Sequence, residues 1–126
     1  MGALRKAIAA LAVVAFPSGP LGAAPDIFWT FAGCTGRLSA LMEHQWLMSD
    51  PASDRTKAQR AAMMTLLEAT TPAEQLRPAL SHRIQAKEAQ ARLLTRATFN
   101  DDPDDADWAL RRSEAEIAAC VGLLLG

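Results

Sequence analysis

The chain lacks tyrosine, has only two cysteines among 126 residues, and keeps aromatic side chains to 6%. Each scarcity removes a class of explanation. β-branched and aromatic residues favour strands, and with both sparse there is no strand signal anywhere. No Cys-x-x-Cys-His run exists, so covalent haem attachment is excluded. No apolar run approaches the ~20 residues that span a bilayer; the longest, residues 7–16, is about ten. A large excess of charge of one sign is missing too. The 13 basic and 14 acidic residues are interleaved, with no basic stripe broken by aromatics, which argues against a nucleic-acid surface.

Catalytic patterns are also absent. Neither His44 nor His82 stands in a catalytic motif, and the adjacent Ser81 and His82 diverge on a helix. No enzyme activity is expected. The acidic run Asp101, Asp102, Asp104, Asp105 and Asp107 fails the calcium-loop pattern, because Pro103 interrupts it and the turn glycine and closing glutamate are missing.

What the chain does hold is alanine, leucine and arginine, which lose little side-chain freedom on a helix. Its length suits one domain with one core. Arg5 and Lys6, the apolar run, then Pro17, Gly19, Pro20 and Gly22-Ala23-Ala24 follow the order of a secretory signal. The sequence thus predicts a cleaved segment over 1–24, a single domain over 25–126, and a periplasmic or secreted location with no membrane span after cleavage. An uncleaved membrane anchor is the alternative. The signal takes two basic residues and no acid with it, so the mature chain is mildly acidic.

In an oxidising compartment Cys34 and Cys120 predict a structural bridge. Cys34 falls near the start of the first mature helix and Cys120 near the end of the last. Those ends lie side by side in an up-down-up-down bundle. A rival is that Phe31-Ala32-Gly33-Cys34 resembles the tail of a lipobox, with Cys34 as a lipidated anchor. The apolar run ends at Phe16, too far upstream for that.

Helical spacing runs from 27 to 49, with Phe31, Cys34, Leu38, Leu41, Gln45 and Met48 on one stripe, Met42 beside it, and Ser39 and Glu43 opposite. Gly33 and Gly36 weaken the first turns and point to a start near Cys34. Asp50-Pro51 ends this helix. A second spans about 51–54 to 70, with Ala62, Met63, Leu66 and Leu67 inward. Thr71-Pro72-Ala73-Glu74 has the form of a capping box, but Pro78 favours a short turn before a long helix over 78–99. Asp102-Pro103 opens the last helix, with acidic residues where its dipole favours them and Leu110, Ile117, Cys120, Val121 and Leu124 inward. The fold class predicted is all-α: a small antiparallel bundle of about four helices, one shorter, closed by one disulfide.

Three candidate sites emerge. Trp46 and Leu47 extend outside the core stripe, and Trp29 lies near the mature start; together they suit a surface for an unidentified protein partner. His44 and Met48, four apart on one helix face, form with Met42 and Met63 an imidazole–thioether set of the kind that suits copper. No other cofactor is expected. On the third helix Arg83, Lys87 and Gln90 share a side with Leu76, Leu80, Ala91 and Leu94, and Gln45 interrupts the first stripe. These four polar groups form a cleft that binds a small anion through Arg83 and Lys87, or else Arg83 and Lys87 snorkel to water; if the groups point inward they should meet each other and an acid such as Glu116 or Glu43. The functional expectation is an exported helical protein that acts by binding or structural association. Copper and anion binding are the alternatives.

Overall fold

The computed structural model describes residues 12–15 and 26–126. The segment expected to be cleaved therefore lies outside the described residues, except for 12–15, which carry no regular structure. Four helices follow: α1 (Phe28–Leu47), α2 (Ser53–Thr70), α3 (Leu76–Thr98) and α4 (Pro103–Leu125), with a single 3-10 turn, Ala73–Gln75, before α3. Among the described residues there is no strand, and no helix is long and apolar enough to cross a membrane.

The all-α, four-helix bundle with a Cys34–Cys120 bridge is what the sequence predicts, and α2, with 18 residues, is its shortest helix. The helix ends follow local chemistry. Asp102 caps α4 by accepting from the backbone N–H groups of Asp104 and Asp105, and Pro103 occupies the first turn, where its missing N–H costs nothing. Pro78 sits inside the first turn of α3 for the same reason, so that helix begins two residues earlier than its proline suggests. α1 closes on Ser49, the one non-glycine residue at positive φ among those described. The Ser49 N–H donates to the Trp46 carbonyl and the Asp50 N–H to the Gln45 carbonyl. The capping box at Thr71 does not form: its hydroxyl donates back to the Leu67 carbonyl and so finishes α2 instead.

Helix α1 is the hub. Eleven of its 20 residues are buried, against three or four in each of the others, and α2 and α3 are both packed along it. α2 runs antiparallel along one side, where Met63 packs into the cluster of Phe31, Cys34, Leu38 and Cys120. α3 runs along the other side, in the same direction as α1, for contacts advance together along both: Gly36 with Arg83, Glu43 with Lys87, His44 with Thr98. α4 packs antiparallel on α3 and meets α1 around the disulfide, while the backbones of α2 and α3 stay apart and only side chains such as Leu67 reach toward α3.

Gly33 and Gly36 explain the close α1–α3 pair. They were expected to delay the helix, but α1 is regular from Phe28 because tertiary packing outweighs their intrinsic cost. A β-carbon on Gly36 would overlap the Arg83 carbonyl oxygen, so the bare backbone is what lets α3 approach. The facing residues on α3 are correspondingly small, with Ala79 and Ala86 buried.

This hub arrangement rotates several faces from their expected setting. Ser39, placed opposite the core by periodicity, is buried: its hydroxyl donates to the Thr35 carbonyl and accepts from Arg60 Nε. Ala62 and Ala91 are exposed, as are Leu76 and Leu80, since α3 turns Ala79, Ala86, Gln90 and Leu94 toward its neighbours. Met48 and Leu110 are exposed as well. His82 is half-buried against the edge of Trp29 at a ring-centroid distance of 5.6 Å.

Candidate functional site

A groove of about 450 Å³ opens where the last turns of α1, the second half of α3 and α4 meet. Its walls are Leu41 from α1, Leu94 from α3, and Leu110, Ile117 and Val121 from α4. The α4 stripe that periodicity assigns to the core thus stands beside an open channel. Ile117 and Val121 are only half-buried, and Leu110 is exposed.

Polar groups sit at defined points along this apolar lining. His44 Nε2 lies 3.2 Å from Thr98 Oγ1, which ties the end of α1 to the end of α3. Ser113 is held from behind the wall by Gln90, which does not line this groove: almost fully buried, Gln90 donates from Nε2 to both the hydroxyl (2.8 Å) and the carbonyl (3.2 Å) of Ser113. Gln45 differs: its Oε1 is buried and has no hydrogen-bond partner. An amide oxygen withdrawn from water without a donor costs about 1–3 kcal/mol. The carboxylates of Asp50 and Glu114 lie at the groove; neither is ion-paired among the described residues. The rim is therefore acidic.

Beyond the groove the end of α1 is apolar and open. Trp46 is 54% exposed, Leu47 70% and Met48 48%, three successive large side chains left uncovered. Trp29, grouped with them on sequence grounds, has a different place. It packs on Phe28 with ring centroids 4.6 Å apart and supports the second core cluster of Phe28, Ala32 and Ala79.

The imidazole–thioether set does not assemble as a unit. His44 and Met48 share a side of α1, but Met42 lies nearly opposite His44 around the helix and is buried. Met63 is fully buried at the level of Cys34 and Leu38, about 9 Å or more along α1 from His44 by helical rise. Among the described residues no group of three or more His, Cys, Asp and Glu side chains is placed to hold a metal ion.

The four residues considered for an anion cleft also separate. Lys87 Nζ reaches Glu43 Oε1 at 2.7 Å at the bundle edge, Gln90 turns to Ser113, and Gln45 turns to the groove. Among the described residues Arg83 has no carboxylate within ion-pair distance. Burial, and secondarily the neighbouring Arg60 guanidinium, hold its pKa below the ordinary arginine value. Of the two acids anticipated as partners, Glu43 pairs with Lys87, whereas Glu116 pairs with Arg37 and Arg112.

Cys34 lies inside α1, and its sulfur is used in the bridge to Cys120. A lipidated terminus at Cys34 needs a free sulfur and cleavage just before it. That cleavage would discard Phe28 and Phe31 from the two core clusters.

Sequence reasoning named Gln45 and His44 but not the groove that joins them to Leu110 and Ser113. The signal lay in the i, i+3, i+7, i+11 spacing of Leu110, Ser113, Ile117 and Val121, a stripe with a hydroxyl inside it. Comparison with known protein families, curated proteins and solved structures finds no match.

Proposed function

We propose that the protein is an exported binding protein whose groove between α1, α3 and α4 receives an amphipathic peptide segment of a partner protein. The observation that carries this is an apolar channel with an acidic rim, lined by Gln45, whose Oε1 is buried without a hydrogen-bond partner and meets a donor once the side chain turns outward. A matching segment brings an apolar anchor for Leu41, Leu94 and Ile117, a hydrogen-bond donor for Gln45, and a lysine or arginine beside it for Asp50 and Glu114. Trp46, Leu47 and Met48 extend the apolar surface past the channel, which suits a peptide better than a small molecule. Export rests on the charge-then-apolar order of the first residues, and a disulfide is compatible with it.

A photo-crosslinking residue placed at Leu110, on the groove wall, tests the reading in the native host. The expected result is one defined crosslinked segment, apolar and flanked by basic residues. It should be absent when the crosslinker sits at the exposed Ala61 of α2, and lost when Trp46→Ala and Leu47→Ser are introduced together. Equal crosslinking at Leu110 and Ala61, or none at Leu110, overturns it.

A further inference from the structure

A second groove, of about 550 Å³, runs between α3 and α4 and is closed at one end by α1. Four of its lining side chains are arginines drawn from all three helices: Arg37, Arg92, Arg96 and Arg112. Among the described residues its only lining carboxylate is Glu116, shared between Arg37 Nε at 3.4 Å and Arg112 Nη2 at 2.7 Å. Arg96 is occupied by Asp105, with Nη2–Oδ1 at 2.6 Å and Nε–Oδ2 at 3.3 Å, and Asn100 Nδ2 also donates to Asp105 Oδ2. Held by these donors, Arg96 foremost, the Asp105 carboxyl titrates below the ordinary aspartate range. Arg92 has no ion-pair partner among the described residues.

Four guanidiniums thus face two carboxylates, and two positive charges are left over. The excess charge is open to water and to an anion, since Arg92, Arg96 and Arg112 are all exposed. Arg92 and Arg96 are an i, i+4 like-charge pair, and Arg112 adds a third guanidinium from the facing helix. The groove also contains Trp108, whose ring lies 5.1 Å from the Arg96 guanidinium carbon and remains 49% exposed.

We infer that this groove binds a phosphate monoester carrying an aromatic ring. A monoester phosphate brings a charge of about −1.5 to −2 on one group at neutral pH, matching the excess, and its oxygens suit the arginine fork. A single carboxylate supplies half that charge. Trp108 beside the guanidiniums gives a ring a stacking surface, and the volume exceeds what an inorganic phosphate fills. The site is separate from the partner groove: it uses Trp108, Arg112 and Glu116 of α4, whereas the partner groove uses Leu110, Ser113 and Ile117.

Calorimetric titration of the full chain with phenyl phosphate, inorganic phosphate and benzoate tests it at low ionic strength. Phenyl phosphate should bind at one site, about tenfold tighter than inorganic phosphate or benzoate. Arg92→Gln should weaken phenyl phosphate about tenfold through the loss of a charge-assisted contact, while Arg77→Gln, an exposed arginine at the start of α3, leaves it unchanged. Trp108→Leu should reduce phenyl phosphate to the level of inorganic phosphate. Arg92→Lys, which keeps the charge and loses the fork, serves if Arg92→Gln disturbs the helix content, and should also bind more weakly than the parent. No saturable heat, equal losses in Arg92→Gln and Arg77→Gln, or benzoate binding as tightly as phenyl phosphate overturns the inference.

Discussion

Gly36→Ala should lower the thermal midpoint by about 15 °C, an outsized effect for one methyl group. The reason is what that methyl group meets. It would overlap the Arg83 carbonyl oxygen and stand 2.9 Å from the Lys87 backbone nitrogen and 3.1 Å from the Arg83 carbonyl carbon. All three are backbone atoms within a helix, so no side chain can swing aside; α1 and α3 must move apart along the tightest seam of the bundle. Overpacking of this kind costs about 1–3 kcal/mol and more where the backbone has to shift. Two other glycines act as internal controls. A β-carbon on Gly33 meets Arg37 Nη1 at 3.1 Å and His82 Nε2 at 3.2 Å, both at the ends of flexible side chains, so a smaller loss is expected there. Gly122 has nothing within 4 Å, and Gly122→Ala should stabilise α4 by about 0.5–1 kcal/mol through helix propensity. Melting curves of the three variants decide the matter. A Gly36→Ala midpoint equal to that of Gly33→Ala would mean that α1 and α3 are not in backbone contact at this point.

Replacing Cys34 and Cys120 together by alanine should cost about 2–5 kcal/mol, the second large effect. The bridge joins positions 86 residues apart, and for so long a loop the chain-entropy argument gives about 4.5 kcal/mol. The loss should be uneven. α4 rests mainly on α3 and meets α1 only sparsely, so the bridge is its principal tie to the hub helix. Hydrogen exchange in the alanine variant is therefore expected to rise most over 117–125 and least in α1. Dithiothreitol should reproduce the shift in the parent protein and leave the variant unchanged. Uniform acceleration across all four helices would show that the bridge does not anchor α4 in particular.

The helices were legible because their ends carry strong local signals. Asp50-Pro51 and Asp102-Pro103 mark a stop and a start that the structure reproduces to within a few residues. The bridge followed from two cysteines at opposite ends of an even-numbered bundle. What periodicity missed is which helix lies at the centre. A stripe analysis assumes one buried face per helix, but α1 buries Cys34, Ser39 and Ala40 on three different sides, so Ser39 was set outside and Leu76 and Leu80 inside. Gly36 held that information, since a glycine inside a helix without a bend or a cap marks a close neighbour. The site was half legible. Gln45 stood out as polar on an apolar stripe, but whether its oxygen had a donor depends on three helices at once. The arginine groove escaped notice for a similar reason: Arg37, Arg92, Arg96 and Arg112 are dispersed in the sequence and converge only through the α3–α4 hairpin and the turn of α1 that faces it.

The thermal midpoint of Gln45→Leu, measured on the free protein beside crosslinking at Leu110, tests the binding role most directly. If Gln45 Oε1 is held without a donor for a partner to fill, leucine removes an unpaid desolvation cost, so the free protein should become more stable by about 1 kcal/mol while the crosslink is lost. A less stable free protein, or a crosslink retained in full, would contradict the assignment of this groove as the partner site.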